Sequence, residues 1–106
     1  MGPMQETLEE PIPPALHSMR LLDGEDPLTR QPEDARHWVL VYEQLFHLKS
    51  ELLARTRARI GTMLPAAQKE LKQTDLALML RDSERLYERL QFWQVRAELL
   101  GPSQQA

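Results

Sequence analysis

The sequence predicts an all-α protein: a long antiparallel helical hairpin, coiled-coil-like, that dimerises into a four-helix bundle and carries a mostly disordered acidic N-terminal tail. Three observations predict it. Two long amphipathic stretches fill most of the 106 residues. A short break, Gly61-Thr62-Met63-Leu64, separates them and ends at Pro65. The apolar rows on both stretches are broader than a two-helix seam covers. A chain of this length forms at most one small domain.

The N-terminal segment, residues 1–31, reads as tail. It holds Pro3, Pro11, Pro13, Pro14 and Pro27, with Pro32 just beyond. Each proline lacks an N–H donor and restricts the residue before it, which opposes regular structure. Residues 1–34 carry eight acids against Arg20 and Arg30, whereas residues 35–106 carry eight acids against eleven bases. An acidic tail therefore joins a mildly basic body. Such a tail aids solubility, docks on a basic partner or folds back on its own body. Ile12, Ala15, Leu16, Met19 and Leu22 follow the spacing of one helix face, so a short helix over 13–22 is expected where something packs against it. Asp23-Gly24-Glu25-Asp26-Pro27 reads as turn and linker.

Helix A is expected over 32–60. Pro32 suits a first helical position, and Glu33 and Asp34 place negative charge at the positive end of the helix dipole. Arg55, Arg57 and Arg59 favour the opposite pole. Gly61 can supply a left-handed residue just past the end. Trp38, Val41, Leu45, Leu48 and Leu52 step by threes and fours along one face. A second row of Val39, Phe46, Leu53 and Ile60 recurs every seven residues beside it.

Helix B is expected over 65–99, from Pro65 to the Gly101-Pro102 stop, with 101–106 disordered. Leu76, Met79, Ser83, Leu86, Leu90, Trp93, Ala97 and Leu100 form its seam. Phe92, Val95 and Leu99 widen that face. Each helix is roughly 45–50 Å long at 1.5 Å per residue. A short connection favours antiparallel neighbours. Folding about Gly61–Leu64 puts Leu45 opposite Leu80, Trp38 opposite Leu86 and Tyr87, and Pro32 at the level of Trp93. Val95, Ala97, Leu99 and Leu100 then overhang. Leaving such side chains exposed forfeits roughly 1.5–3 kcal/mol each, which argues for a homodimer.

The functional expectation is a non-catalytic protein–protein interaction module, an adaptor or scaffold subunit. Its contact residues are Trp38, Val41, Leu45, Leu48, Leu52, Leu86, Leu90, Phe92, Trp93, Val95 and Leu99. The aromatics Trp38, Tyr42, Phe46, Tyr87, Phe92 and Trp93 gather toward the open end, where they serve as core or as a partner-binding hot spot. The competing class is a nucleic-acid binder using Arg55, Arg57, Arg59, Lys69 and Lys72. An isoelectric point near 5.6 argues against it. Asp82, Glu84, Arg85, Glu88 and Arg89 read as a solvated mixed-charge face, with Asp82–Arg85, Arg85–Glu88 and Glu51–Arg55 as intrahelical pairs.

No cofactor or metal is expected. The chain has no cysteine. Glu43 and His47 share a face, but their spacing is not the Glu-x-x-His of di-iron bundles, and it occurs once. His17 and His37 add no ligand pattern. Glycine-rich phosphate loops and nucleophile–base arrangements are absent. The N-terminus lacks the basic and apolar regions of a signal peptide, and Glu6 stands where a myristoylation pattern needs Ser or Thr. No apolar run is long enough to span a membrane. Together these features point to a cytoplasmic protein. Ten Arg against three Lys, with abundant Leu and Ala, suits a GC-rich bacterial genome.

Overall fold

A computed structural model describes residues 21–102, and among these it is all-helical, with no strand. Helix α1 spans Pro32–Ile60, α2 spans Pro65–Gln73 and α3 spans Asp75–Leu100. Pro32 opens α1 at its first turn, with Glu33 and Asp34 at the positive pole and Arg57 and Arg59 in the last turn. Gly101, at φ 85°, ends α3 in a backbone conformation that favours glycine.

The second amphipathic stretch is not one helix. Thr74, at φ −114° and ψ −87°, divides it into α2 and α3. The Thr74 hydroxyl donates to the Glu70 carbonyl oxygen at 2.8 Å, and the Thr74 N–H bonds the same oxygen at 3.1 Å. A threonine hydroxyl that bonds back to the i−4 carbonyl bends a helix. Gly61 also departs from expectation. Its φ of −62° is right-handed. The turn is closed instead by the N–H groups of Thr62 and Met63 bonding the carbonyls of Arg59 and Ile60.

Helices α1 and α3 lie antiparallel. Trp38 stacks on Trp93 with ring centroids 6.3 Å apart, Phe46 meets Tyr87 at 5.4 Å, and Lys49 approaches Asp82 at 4.0 Å. Trp38 therefore faces Trp93 and not Leu86 and Tyr87, a slide of roughly two turns from the expected register. The reason is the bend at Thr74. Helix α2 buries none of its residues. The buried line facing α1 begins at Leu76, which clusters with Leu53 and Ile60, and α2 adds only half-buried Leu71. The slide also shortens the overhang of α3, and Ala97 and Leu100 pack against the core.

The core is two clusters. Ala35, Trp38, Tyr42, Leu86, Leu90 and Trp93 form one at the open end. Leu53, Ile60 and Leu76 form the other near the turn. On α3 the buried line follows the expected seam through Leu76, Leu86, Leu90 and Trp93. On α1 it does not. The line starts at Ala35, Trp38 and Tyr42 and continues to Leu53 and Ile60. A straight helix drifts away from a strict seven-residue row, so the contact line passes from the first row to the second. Leu48 and Leu52 are left outside.

Residues 21–31 correct the reading of the whole segment 1–31 as a mostly disordered tail. They pack on the open end of the hairpin, with Glu25, Pro27 and Thr29 buried. Leu22 packs against the larger cluster. Of the short helix expected over 13–22, residues 13–20 lie outside the described residues, and Leu21 and Leu22 are not helical. Residues 103–106 also lie outside them.

Candidate functional site

Glycine at position 24 makes the first turn of the docked segment possible. Its φ is 84°, where a side chain would be strained. The Glu25 N–H bonds the Leu22 carbonyl at 2.9 Å, and the Leu22 N–H donates to Glu25 Oε1 at 2.9 Å. These two bonds hold the glutamate side chain back over its own turn. A second turn follows. The Thr29 N–H bonds the Asp26 carbonyl at 3.0 Å, and Asp26 Oδ1 accepts from the Leu28 N–H at 3.0 Å. Thr29 then fastens the segment to both helices. Its hydroxyl donates to Asp34 Oδ2 at 2.9 Å and accepts from the Gln31 N–H. Its carbonyl accepts from Arg96 Nε at 3.1 Å and Nη2 at 2.8 Å.

This scaffold delivers one carboxylate into the core. Glu25 Oε1 accepts from the Tyr42 hydroxyl at 2.7 Å and from Arg89 Nη2. Glu25 Oε2 accepts from the Trp93 indole Nε1–H at 2.8 Å. The side chains of Glu25 and Arg89 are both 0% exposed. The Arg89 guanidinium also lies over the Tyr42 ring, 4.8 Å from its centroid. A buried carboxylate is tolerable only when its charge is matched and its lone pairs are filled, and here both conditions hold. Burial pushes the Tyr42 hydroxyl well above its ordinary pKa, and the hydrogen bond to Glu25 and its negative charge add to the rise, while Arg89 opposes it. Tyr42 therefore acts as a fixed donor.

Three hairpin side chains, Tyr42, Arg89 and Trp93, bind the carboxylate from different directions, and the Leu22 N–H of the docked segment adds a fourth bond. It holds no nucleophile and no free acid–base pair. Arg89 was expected on a solvated face. Its burial is hidden in the sequence because the carboxylate it meets lies 64 residues away. The one local hint is position: Arg89 stands between Leu86, Leu90 and Trp93, beside the seam. Nothing in the sequence singles out Glu25 among the acids of the first third.

The other predicted residues fall in several places. Trp38, Leu86, Leu90 and Trp93 are buried within the chain, and Val41, Leu45 and Phe92 are half-buried. Phe92 sets its edge against Trp93 at 5.1 Å. Leu48 and Leu52 are exposed at 54% and 39%, and Val95 and Leu99 at 55% and 76%. The aromatics thus serve chiefly as core, although Tyr87 is exposed.

Arg55, Arg57, Arg59, Lys69 and Lys72 are all exposed. His47 pairs with Glu51 at 3.3 Å, so that acid faces a histidine where Arg55 was the expected partner. Asp82 approaches Arg85 at 4.0 Å. Among the described residues, no group of three or more His, Cys, Asp or Glu side chains could hold a metal ion. Among them also, no helix is long and apolar enough to cross a membrane. No protein-family model matches this chain, and no curated protein and no solved structure matches it either.

Proposed function

We propose that the chain is a non-catalytic interaction module, an adaptor or scaffold subunit, whose hairpin pairs with a second copy as a four-helix bundle. One observation carries this reading. Val41, Leu45, Leu48 and Leu52 run at helical spacing beside the core, and Leu48 and Leu52 are exposed. An apolar row of this kind, lying next to a packed core and not covered by it, has the character of an association surface. The stripe spans roughly 16 Å of helix at 1.5 Å per residue, enough for a short bundle contact. Phe92, Val95 and Leu99 supply a further apolar row on α3 for a different protein partner.

Sedimentation of the full chain tests the pairing. A dimer at micromolar concentration is expected, and the double substitution Leu48→Asp with Leu52→Asp should give a monomer of unchanged helix content. A wild-type monomer across that range would refute the pairing.

A second reading has one observation behind it. Arg55, Arg57, Arg59, Lys69 and Lys72 are exposed around the turn, and none forms an ion pair with a described residue. Phosphate binding by such a patch would weaken steeply with salt. Retention on DNA or RNA at low salt, lost on raising it, would favour a nucleic-acid binder. Absence of retention at low salt would remove that class.

A further inference from the structure

Tyr42, Arg89 and Trp93 form a receptor whose ligand is supplied by the same chain. All three donors sit on α1 and α3, whereas the carboxylate they hold arrives on a separate pair of turns. The two halves are built differently. The receptor half is closed by the largest fully buried side chains of the molecule, Trp93, Arg89 and Tyr42. The ligand half is thin. Asp23, Gly24 and Asp26 are exposed, and its apolar anchorage is buried Pro27 with Leu21, Leu22 and Leu28 only half-buried. A segment with little buried apolar area opens locally at lower cost than the helices beneath it. Opening it would uncover a cationic guanidinium, a phenol and an indole N–H, already aimed at one point.

We infer that this pocket is a carboxylate-recognition site, occupied in cis by Glu25, that accepts in trans an acidic turn of a partner protein. The ligand is a glutamate or aspartate side chain presented on a turn with an apolar neighbour, as Leu22 and Pro27 flank Glu25 here. Charge complementarity selects it: a buried guanidinium needs an anion, and the indole and phenol fill the remaining lone pairs. Glu25 then acts as a competing pseudo-ligand. The inference stands whether or not the chain dimerises, since none of these residues belongs to the stripe of Leu48 and Leu52.

The test uses the full chain carrying Glu25→Ala and, separately, Glu25→Gln. The probe is a capped synthetic peptide of residues 21–31, offered with its native glutamate or with glutamine in that place. Binding is read by calorimetry and by the NMR signal of the Trp93 indole N–H. The native peptide is expected to saturate Glu25→Ala and to return the indole signal to its wild-type position. The glutamine peptide should bind about tenfold more weakly or worse, the loss expected for a charge-assisted hydrogen bond. Wild-type protein should bind neither at the same concentration, because its own loop competes. If Glu25→Ala does not fold, recovery of its helix signal on adding the native peptide supports the site equally, and Glu25→Gln supplies a folded acceptor. Failure of the native peptide to bind either variant, or equal binding of the two peptides, overturns the inference.

Discussion

At the open end of the hairpin, Trp93, Tyr42 and Arg89 are fully buried, and a charged hydrogen-bond cluster sits inside the apolar packing. At the turn end, α2 has no fully buried residue, and the cluster there is Leu53, Ile60 and Leu76 with half-buried Leu71, Met79 and Leu80 around it. The two ends are built from the same pair of helices. They differ because a third piece of chain, residues 21–31, covers one end, while a bend at Thr74 turns α2 out of the α1–α3 pairing at the other. Two helices alone leave most of their surface wet, and an added strip of chain converts part of it into core. Fixing that strip with a carboxylate also specifies its position, since the Tyr42 hydroxyl, Arg89 Nη2 and the Trp93 indole N–H converge on that one group.

Substitutions at matched positions test this difference. Trp93→Ala should cost about 3–5 kcal/mol in urea unfolding, because it opens a cavity and removes a donor from Glu25. Ile60→Ala, at the turn end, should cost about 2–4 kcal/mol. Equal losses would mean that the docked segment adds little to the open end. Arg89→Ala should cost about 3–5 kcal/mol by leaving the Glu25 carboxylate buried without its counter-charge. Pairing Arg89→Met with Glu25→Leu should recover only part of that loss, since an apolar pair can replace a buried ion pair but here leaves the Tyr42 hydroxyl and Trp93 indole N–H without their acceptor.

Tyr42→Phe should cost about 1 kcal/mol near neutral pH, the worth of one hydrogen bond. Its sharper effect concerns alkali. The folded protein holds the Tyr42 proton above the ordinary value of 10.0, so this stabilisation is complete below that pH. It falls as the pH rises beyond 10.0, because tyrosine ionises more readily in the unfolded chain. Unfolding free energies measured on both sides of that pH should show a steeper alkaline decline in the wild type than in Tyr42→Phe. The smallest effect belongs to Gly61→Ala. A methyl group there meets only the Ala58 and Arg57 carbonyl oxygens at 3.5 Å, and φ is right-handed. The substitution should be neutral or stabilise by about 0.4–1 kcal/mol. Gly101→Ala, at φ 85°, should destabilise instead.

Much of the helical architecture was legible because its signals are local. Proline at 32 and 65 and the row through Leu76, Leu86, Leu90 and Trp93 depend on residues a few positions apart. What escaped depends on accumulation or distance. The drift that takes the α1 contact line from Trp38 to Leu53 grows over several turns, so Leu48 and Leu52 look like core in any short window. Thr74 resembles an ordinary mid-helix residue until its hydroxyl is seen bonding Glu70. The Glu25 cluster was least legible. A surface glutamate and a core glutamate have the same local sequence, and only Arg89 and Trp93, far along the chain, distinguish them.

The separation of Glu25 from Trp93, 68 residues, has a consequence for how the protein is made. During synthesis the carboxylate leaves the ribosome well before the indole that meets it, 68 residues further on. Until translation passes Trp93, the loop has no complete seat and stays open to water and to other molecules. Capture of Glu25 therefore reports that α3 has been made past Trp93, and a product cut short before that point lacks the means to lock this loop in place.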